Sequence, residues 1–157
     1  MPSQRTRIAL SEAEQRELIE GVRTLYVASI NRDGSPHLVP MWFAIDDEGL
    51  IAFTTYAASQ KVRNLERDPR LTVLIEAGDT YAELRGMSID AEAEIVRDPQ
   101  VTTRALALNA ARREDRPRPM PDRDASVPPE AYKRVTVRVH PLRVRSWDHR
   151  QLGWAQR

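Results

Sequence analysis

The chain of 157 residues contains no cysteine, which excludes a disulfide framework and any thiolate metal site. Histidine is nearly as scarce: only His37, His140 and His149 occur, at no spacing that suits a metal centre. An excess of one charge is missing too. Lys and Arg total 24 against 23 Asp and Glu, so the net charge of +1 gives no basic surplus of the kind nucleic-acid binding needs. No apolar run approaches the ~20 residues of a membrane span, and the N-terminus lacks a signal-peptide apolar core. A cytoplasmic protein with neither nucleic acid nor membrane as partner is therefore expected.

What is present reads as one domain, long enough to bury a core. Ser11 and Glu14 have capping-box spacing and open a helix over 11–23, with Leu18, Ile19 and Val22 on its apolar face. Strands are expected at 24–31, 36–45, 50–55 and 70–77, joined by turns at Gly34 and Gly49. A fifth strand is expected at 81–96, with Gly86 as a bulge or bend. Asp98 and Pro99 start a helix over 98–113. The stretch 114–129, rich in Pro, Arg and Asp, reads as a loop or partly disordered excursion. A last strand over 134–145 precedes a basic, aromatic tail at 146–157. Short antiparallel runs closed by a late returning strand point to a small barrel, mainly β with flanking helices.

The most informative stretch is 53–70. It reads as the end of a strand, a hydroxyl-bearing turn and a helix over 59–67. Hydroxyls of Thr54, Thr55 and Ser59 and the cation of Lys61 crowd one helix N-terminus, where amides are unpaired and the dipole is positive. That combination suits a phosphate. An ordinary capped surface helix would use the same residues.

Three segments carry a resemblance: Asn31-Arg-Asp-Gly-Ser-Pro-His37, Val39-Pro-Met-Trp-Phe43 and Ser59-Gln-Lys-Val-Arg-Asn-Leu-Glu-Arg-Asp-Pro-Arg70. In this order they resemble the pyridoxamine-phosphate-oxidase-like split-barrel superfamily, and within it the flavin/deazaflavin oxidoreductases. The resemblance covers roughly 11–147 and is dense from Leu25 to Gly86. It implies an FMN-binding type of split β-barrel, a homodimer, and two cofactor sites at the subunit interface. Carried onto this chain, Lys61 is the phosphate cation, with Ser59 and Gln60 as further donors. Thr54 and Thr55 line the path to the ring; Val39, Pro40, Met41 and Trp42 meet the ring edge. Tyr56 is a ring or tail contact, or packs the turn. Trp147 forms an aromatic wall, supplied by either subunit, or seals the barrel.

Flavin oxidases of this type often carry arginine where Ser59 stands. The small hydroxyl favours coenzyme F420, whose phosphodiester bears one charge, over FMN, whose terminal phosphate bears nearly two. Arg63, Arg67, Arg143 and Arg145 are candidates for the F420 tail carboxylates. The implied activity is hydride transfer from reduced deazaflavin to an unsaturated small-molecule acceptor; an FMN oxidase or reductase, or a non-catalytic binder, are the alternatives. No catalytic residue and no metal ligand is assigned, since the cofactor carries the chemistry. Vitamin B6 oxidation fits poorly, because His149 and Arg150 alone do not make the family's C-terminal substrate motif. Asp90, Glu92 and Glu94 alternate along one strand face and read as a solvated surface.

Overall fold

The computed structural model describes residues 7–153. The capping box forms as expected. The Ser11 amide donates to Glu14 Oε2 at 2.7 Å and the Glu14 amide to Ser11 Oγ at 3.3 Å, opening α1 (Glu12–Gly21). Seven strands follow: β1 (Thr24–Ile30), β2 (Pro36–Trp42), β3 (Ala44–Ile45), β4 (Ile51–Tyr56), β5 (Arg70–Ala77), β6 (Arg85–Val96) and β7 (Arg134–Asp148). Helix α2 (Gln60–Arg67) lies between β4 and β5 in the chain, and α3 (Pro99–Arg113) between β6 and β7. Among the described residues no helix is long and apolar enough to cross a membrane.

Every strand pairing is antiparallel, in the order β2-β1-β5-β6-β7-β4-β3. The two ends of that order, β2 and β3, are separated in the chain by Phe43 alone. The sheet therefore curls until its edges approach one another, giving a split β-barrel. The single strand expected over 36–45 is corrected here. Thr24 to Ile30 pair with β2, whereas Ala44 and Ile45 pair with Ala52 and Ile51 of β4. Phe43, fully buried, turns the chain from one partner to the other. An unbroken apolar run hides such a switch from periodicity.

Inside the curl, Leu25, Val27, Phe53, Val73, Ile75, Val135 and Val137 pack together, and Val62 and Leu65 of α2 join them. Helix α3 starts on an Asp98 side chain that accepts the Gln100 amide at 2.8 Å. It covers the far face of β4 and β7, where buried Thr136 donates to Thr102 at 3.2 Å.

Strand β6 begins at Arg85, not at residue 81, because Glu83 N–H donates to Thr80 O at 2.9 Å and closes a turn first. Gly86 is not a bulge. It pairs in register with Glu76 and Trp147, and the irregularity falls at Asp90/Ala91 instead. What requires glycine is the Trp147 indole: a Cβ at position 86 would stand 2.5 Å from Trp147 Cζ2 and 3.0 Å from Ile75 O. Gly86→Ala should cost about 1–3 kcal/mol, by overpacking, and displace the indole. Denaturant titration with a shifted tryptophan emission checks this; wild-type stability and emission would refute it.

Strand β7 runs on to Asp148, so the expected tail begins as sheet paired with Arg85–Met87; His149–Leu152 then form a 3-10 turn. The rest of that tail, 154–157, lies outside the described residues. The 114–129 excursion is not loose. Arg118 donates to Ile45 O at 2.8 Å and to Asp47 Oδ1 at 2.6 Å, and Arg104 binds Asp47 while donating to Pro119 O at 2.9 Å. These two guanidinium groups hold the Asp47 carboxyl far below the usual carboxylate range. The sign follows from that depression: the stabilisation is complete above the ordinary carboxylate pKa and is lost as pH falls toward the lowered one. Limited proteolysis between Glu114 and Pro128 should therefore accelerate below about pH 4 while the barrel persists; a pH-independent cleavage rate would contradict it.

Candidate functional site

Strand β4 delivers Thr54, Thr55 and Tyr56 to the start of α2. The chain turns at Tyr56, whose carbonyl accepts the Ser59 amide at 3.0 Å, and the helix opens after Ser59. The Ser59 side chain makes no cap hydrogen bond. Its hydroxyl instead lies 3.4 Å from Thr55 Oγ1, and Lys61 Nζ donates to the same Thr55 oxygen at 3.0 Å. Thr55, Ser59 and Lys61 are thus brought together as expected, at a helix start that keeps its first amides free. Thr54, on the other face of β4, borders a cavity with Met41, Trp42 and Arg134 instead of joining them.

Lys61 is half-buried, and among the described residues it forms no ion pair with a carboxylate. Burial pushes its amine below the ordinary lysine range. An anion arriving at the cluster would reverse that penalty. Asn64, invisible in the sequence reading, fixes the geometry. It is fully buried, donates through Nδ2 to Ser29 Oγ at 3.1 Å and Asn31 Oδ1 at 2.9 Å, and accepts from Gln60 Nε2 at 2.9 Å. Arg67 adds a donor to Asn64 at 3.3 Å and another to the Ile30 carbonyl. One N–H of the Gln60 side-chain amide is therefore engaged by this hub.

Val39, Pro40, Met41 and Trp42 lie on β2, an outer strand of the sheet order, with Val39 and Met41 half-buried. Leu38, Pro40 and Trp42 share the opposite, exposed face, Leu38 at 65% and Trp42 at 55%. Buried Thr54, Met41 and Trp42 border one cavity with Arg134, and the Arg134 guanidinium lies over the exposed Tyr56 ring at 4.3 Å. Ten of the sequence-derived residues thus lie on β2, on β4 or at the start of α2.

Trp147 does not. It sits at the far end of β7 from Arg134, which faces Tyr56, and the intervening residues span about 40 Å of extended strand. It borders a separate cavity of about 820 Å³ with Arg143, Ser146 and His149. Two tail candidates are otherwise engaged: Arg145 is bidentate to Asp90 at 2.7 Å, and Arg67 serves the Asn64 hub. Arg63 and Arg143 are exposed. The acidic stripe is accordingly not merely solvated; Glu94 also pairs with Arg138 and His140.

A curled antiparallel split barrel with a cation-bearing helix start beside a buried strand end defines the class of protein. The chain belongs to the pyridoxamine 5'-phosphate oxidase family, which matches residues 11–148. Among solved structures it is similar to a conserved hypothetical protein of Mycobacterium tuberculosis at 44% identity and a TM-score of 0.83, covering 97% of this chain and 93% of that one. A protein described as an F420 reductase is similar at 28% identity and a TM-score of 0.61, over 82% of this chain and 94% of that one. An FAD-binding protein from Mesorhizobium loti shares the fold at 17% identity and a TM-score of 0.65, over 88% and 94%. No curated protein matches significantly.

Proposed function

We propose that this protein is an F420-dependent oxidoreductase of the cytoplasm, working as a homodimer on an unsaturated small-molecule acceptor. The observation that carries the reading is Lys61, a half-buried cation that pairs with no carboxylate among the described residues, set among two hydroxyls and free helix amides. Such a cradle fits a phosphate group, and it holds one cation, which matches the single charge of the F420 phosphodiester better than the terminal phosphate of FMN. Similarity to the F420 reductase supports the same choice.

When bound, the reduced deazaflavin would supply the hydride. The chain's own residues would do the rest. Lys61 and the amides at the start of α2 bind the phosphate, and Ser59 and Thr55 offer it hydroxyls. Thr54 lines the way to the ring, whose edge meets the backbone of Val39–Trp42; Pro40 can offer only its carbonyl there. Trp42 and Tyr56 exclude water. The remoteness of Trp147 from this cluster, and the exposed apolar face of Leu38, Pro40 and Trp42, support a second copy as the source of the aromatic wall.

Parallel fluorescence titrations with F420 and FMN test the cofactor. Saturable F420 binding with much weaker FMN binding is expected. The reverse order would assign flavin chemistry, and binding without turnover of any acceptor would leave a carrier of the cofactor.

A further inference from the structure

Between the end of β2, β4, the start of β7 and the last turns of α3 lies a cavity of about 230 Å³, bordered by Met41, Trp42, Thr54, Asn109, Arg113 and Arg134. Among the described residues no carboxylate lines it. Among the described residues neither Arg113 nor Arg134 forms an ion pair. Each guanidinium instead lies over an aromatic ring, Arg113 at 4.3 Å from the Trp42 centroid and Arg134 at 4.3 Å from that of Tyr56. Stacking uses the flat faces of a guanidinium and leaves its in-plane N–H groups free to donate.

Two buried polar atoms of the residues that line it have no hydrogen-bond partner among the described residues: Arg134 Nε and Asn109 Oδ1. Asn109 is only 9% exposed. Native structures rarely leave such groups unsatisfied, and each one costs stability until something completes it. Rotation of the terminal amide lets Asn109 present either its oxygen or its NH₂ to a ligand. The cavity falls below the ~300–1,000 Å³ of a complete small-molecule site, so it suits one substituent and not a whole molecule.

We propose that this cavity seats an oxyanion substituent of the acceptor, a carboxylate or a phosphate, held by Arg134 and Arg113 with the Asn109 amide. The assignment to the acceptor rests on the reading above, in which β2 and β4 form the bed of the cofactor ring. Trp42 and Met41 then stand between ring and anion, and the Arg pair fixes which face of a planar acceptor meets the ring. The acceptor class this selects is a conjugated acid or phosphate ester, in preference to a neutral quinone or enone.

Ligand-observed NMR titration of the full chain with benzoate, phenyl phosphate and neutral benzamide tests the site without any turnover. The anions should bind and benzamide should not; the tighter of the two anions names the source. Arg134→Gln should weaken anion binding about tenfold or more, the loss of a charge-assisted hydrogen bond. Arg113→Gln, at an exposed position that does not threaten folding, should weaken it as well, and Lys61→Ala should leave benzoate binding intact. Equal binding of benzamide, or unchanged affinity in both arginine variants, overturns the site. Simultaneous binding of benzoate and cofactor supports the acceptor role, whereas displacement of one by the other overturns it. If benzoate binds and neither F420 nor FMN does, the cofactor reading fails while the oxyanion site stands.

Discussion

Replacing Asn64 by alanine should destabilise the fold by about 3 kcal/mol and loosen α2 from β1. The side chain is fully buried and its four hydrogen bonds occupy both amide protons and the carbonyl oxygen. Alanine removes all of them and leaves Ser29, itself buried, with an orphaned hydroxyl in a new void. Each such orphan costs about 1–3 kcal/mol, which is more than an ordinary hydrogen bond returns. The loss reaches the site because Gln60 and Arg67, at the two ends of α2, are tied through the same amide. Denaturant titration should show a lower midpoint with an unchanged slope, and amide exchange in α2 should quicken. A change below about 1 kcal/mol would show that α2 is held by Val62 and Leu65 alone.

Lys61→Ala should have the opposite profile, leaving the fold intact and removing the ligand. The amine is half-buried with Thr55 Oγ1 as its protein partner, so its loss relieves a desolvation cost and sacrifices one neutral acceptor bond. Cofactor affinity should fall by about 1.5–3 kcal/mol, the range for a hydrogen bond to a charged group. The thermal midpoint should stay level or rise slightly. Lys61→Arg is expected to rescue only in part, because a planar fork cannot take the place of a compact ammonium beside Thr55. Undiminished affinity in the alanine variant would remove the cradle from the functional argument.

The two substitutions mark where the sequence was readable. Lys61, Thr55 and Ser59 lie within seven residues, so a strand, a turn and a helix start suffice to bring them together. Residue type and spacing along the chain carried that cluster, along with the capping box of α1, the Asp98 start of α3 and the positive-φ turns at Gly34 and Gly49. Asn64 sits in the same segment, yet its role stayed hidden. Its partners Ser29 and Asn31 are more than thirty residues away, and only the antiparallel return of the chain places β1 against α2.

Long-range register explains the other corrections. Gly86 announces a special position, but only the pairing with Trp147 across β6 and β7 shows that it makes room for an indole. The 114–129 stretch has the composition of a loose loop, and it is fixed because Arg104 of α3 and its own Arg118 meet Asp47. Asn109 and Arg134 carried no local signal at all, since each is unremarkable until α3 lies across β7. By itself, then, the sequence determined most of the elements and the cation-bearing helix start, through periods and spacings shorter than one strand–turn–helix unit, while the split-barrel family rested on the resemblance of three segments between Asn31 and Arg70. Tertiary structure alone decided the strand switch at Phe43, the isolation of Trp147 from its expected neighbours and the unpartnered polar atoms of Asn109 and Arg134. Those depend on which strands pair and where the curled sheet closes, and burial and desolvation become specific only once it has closed.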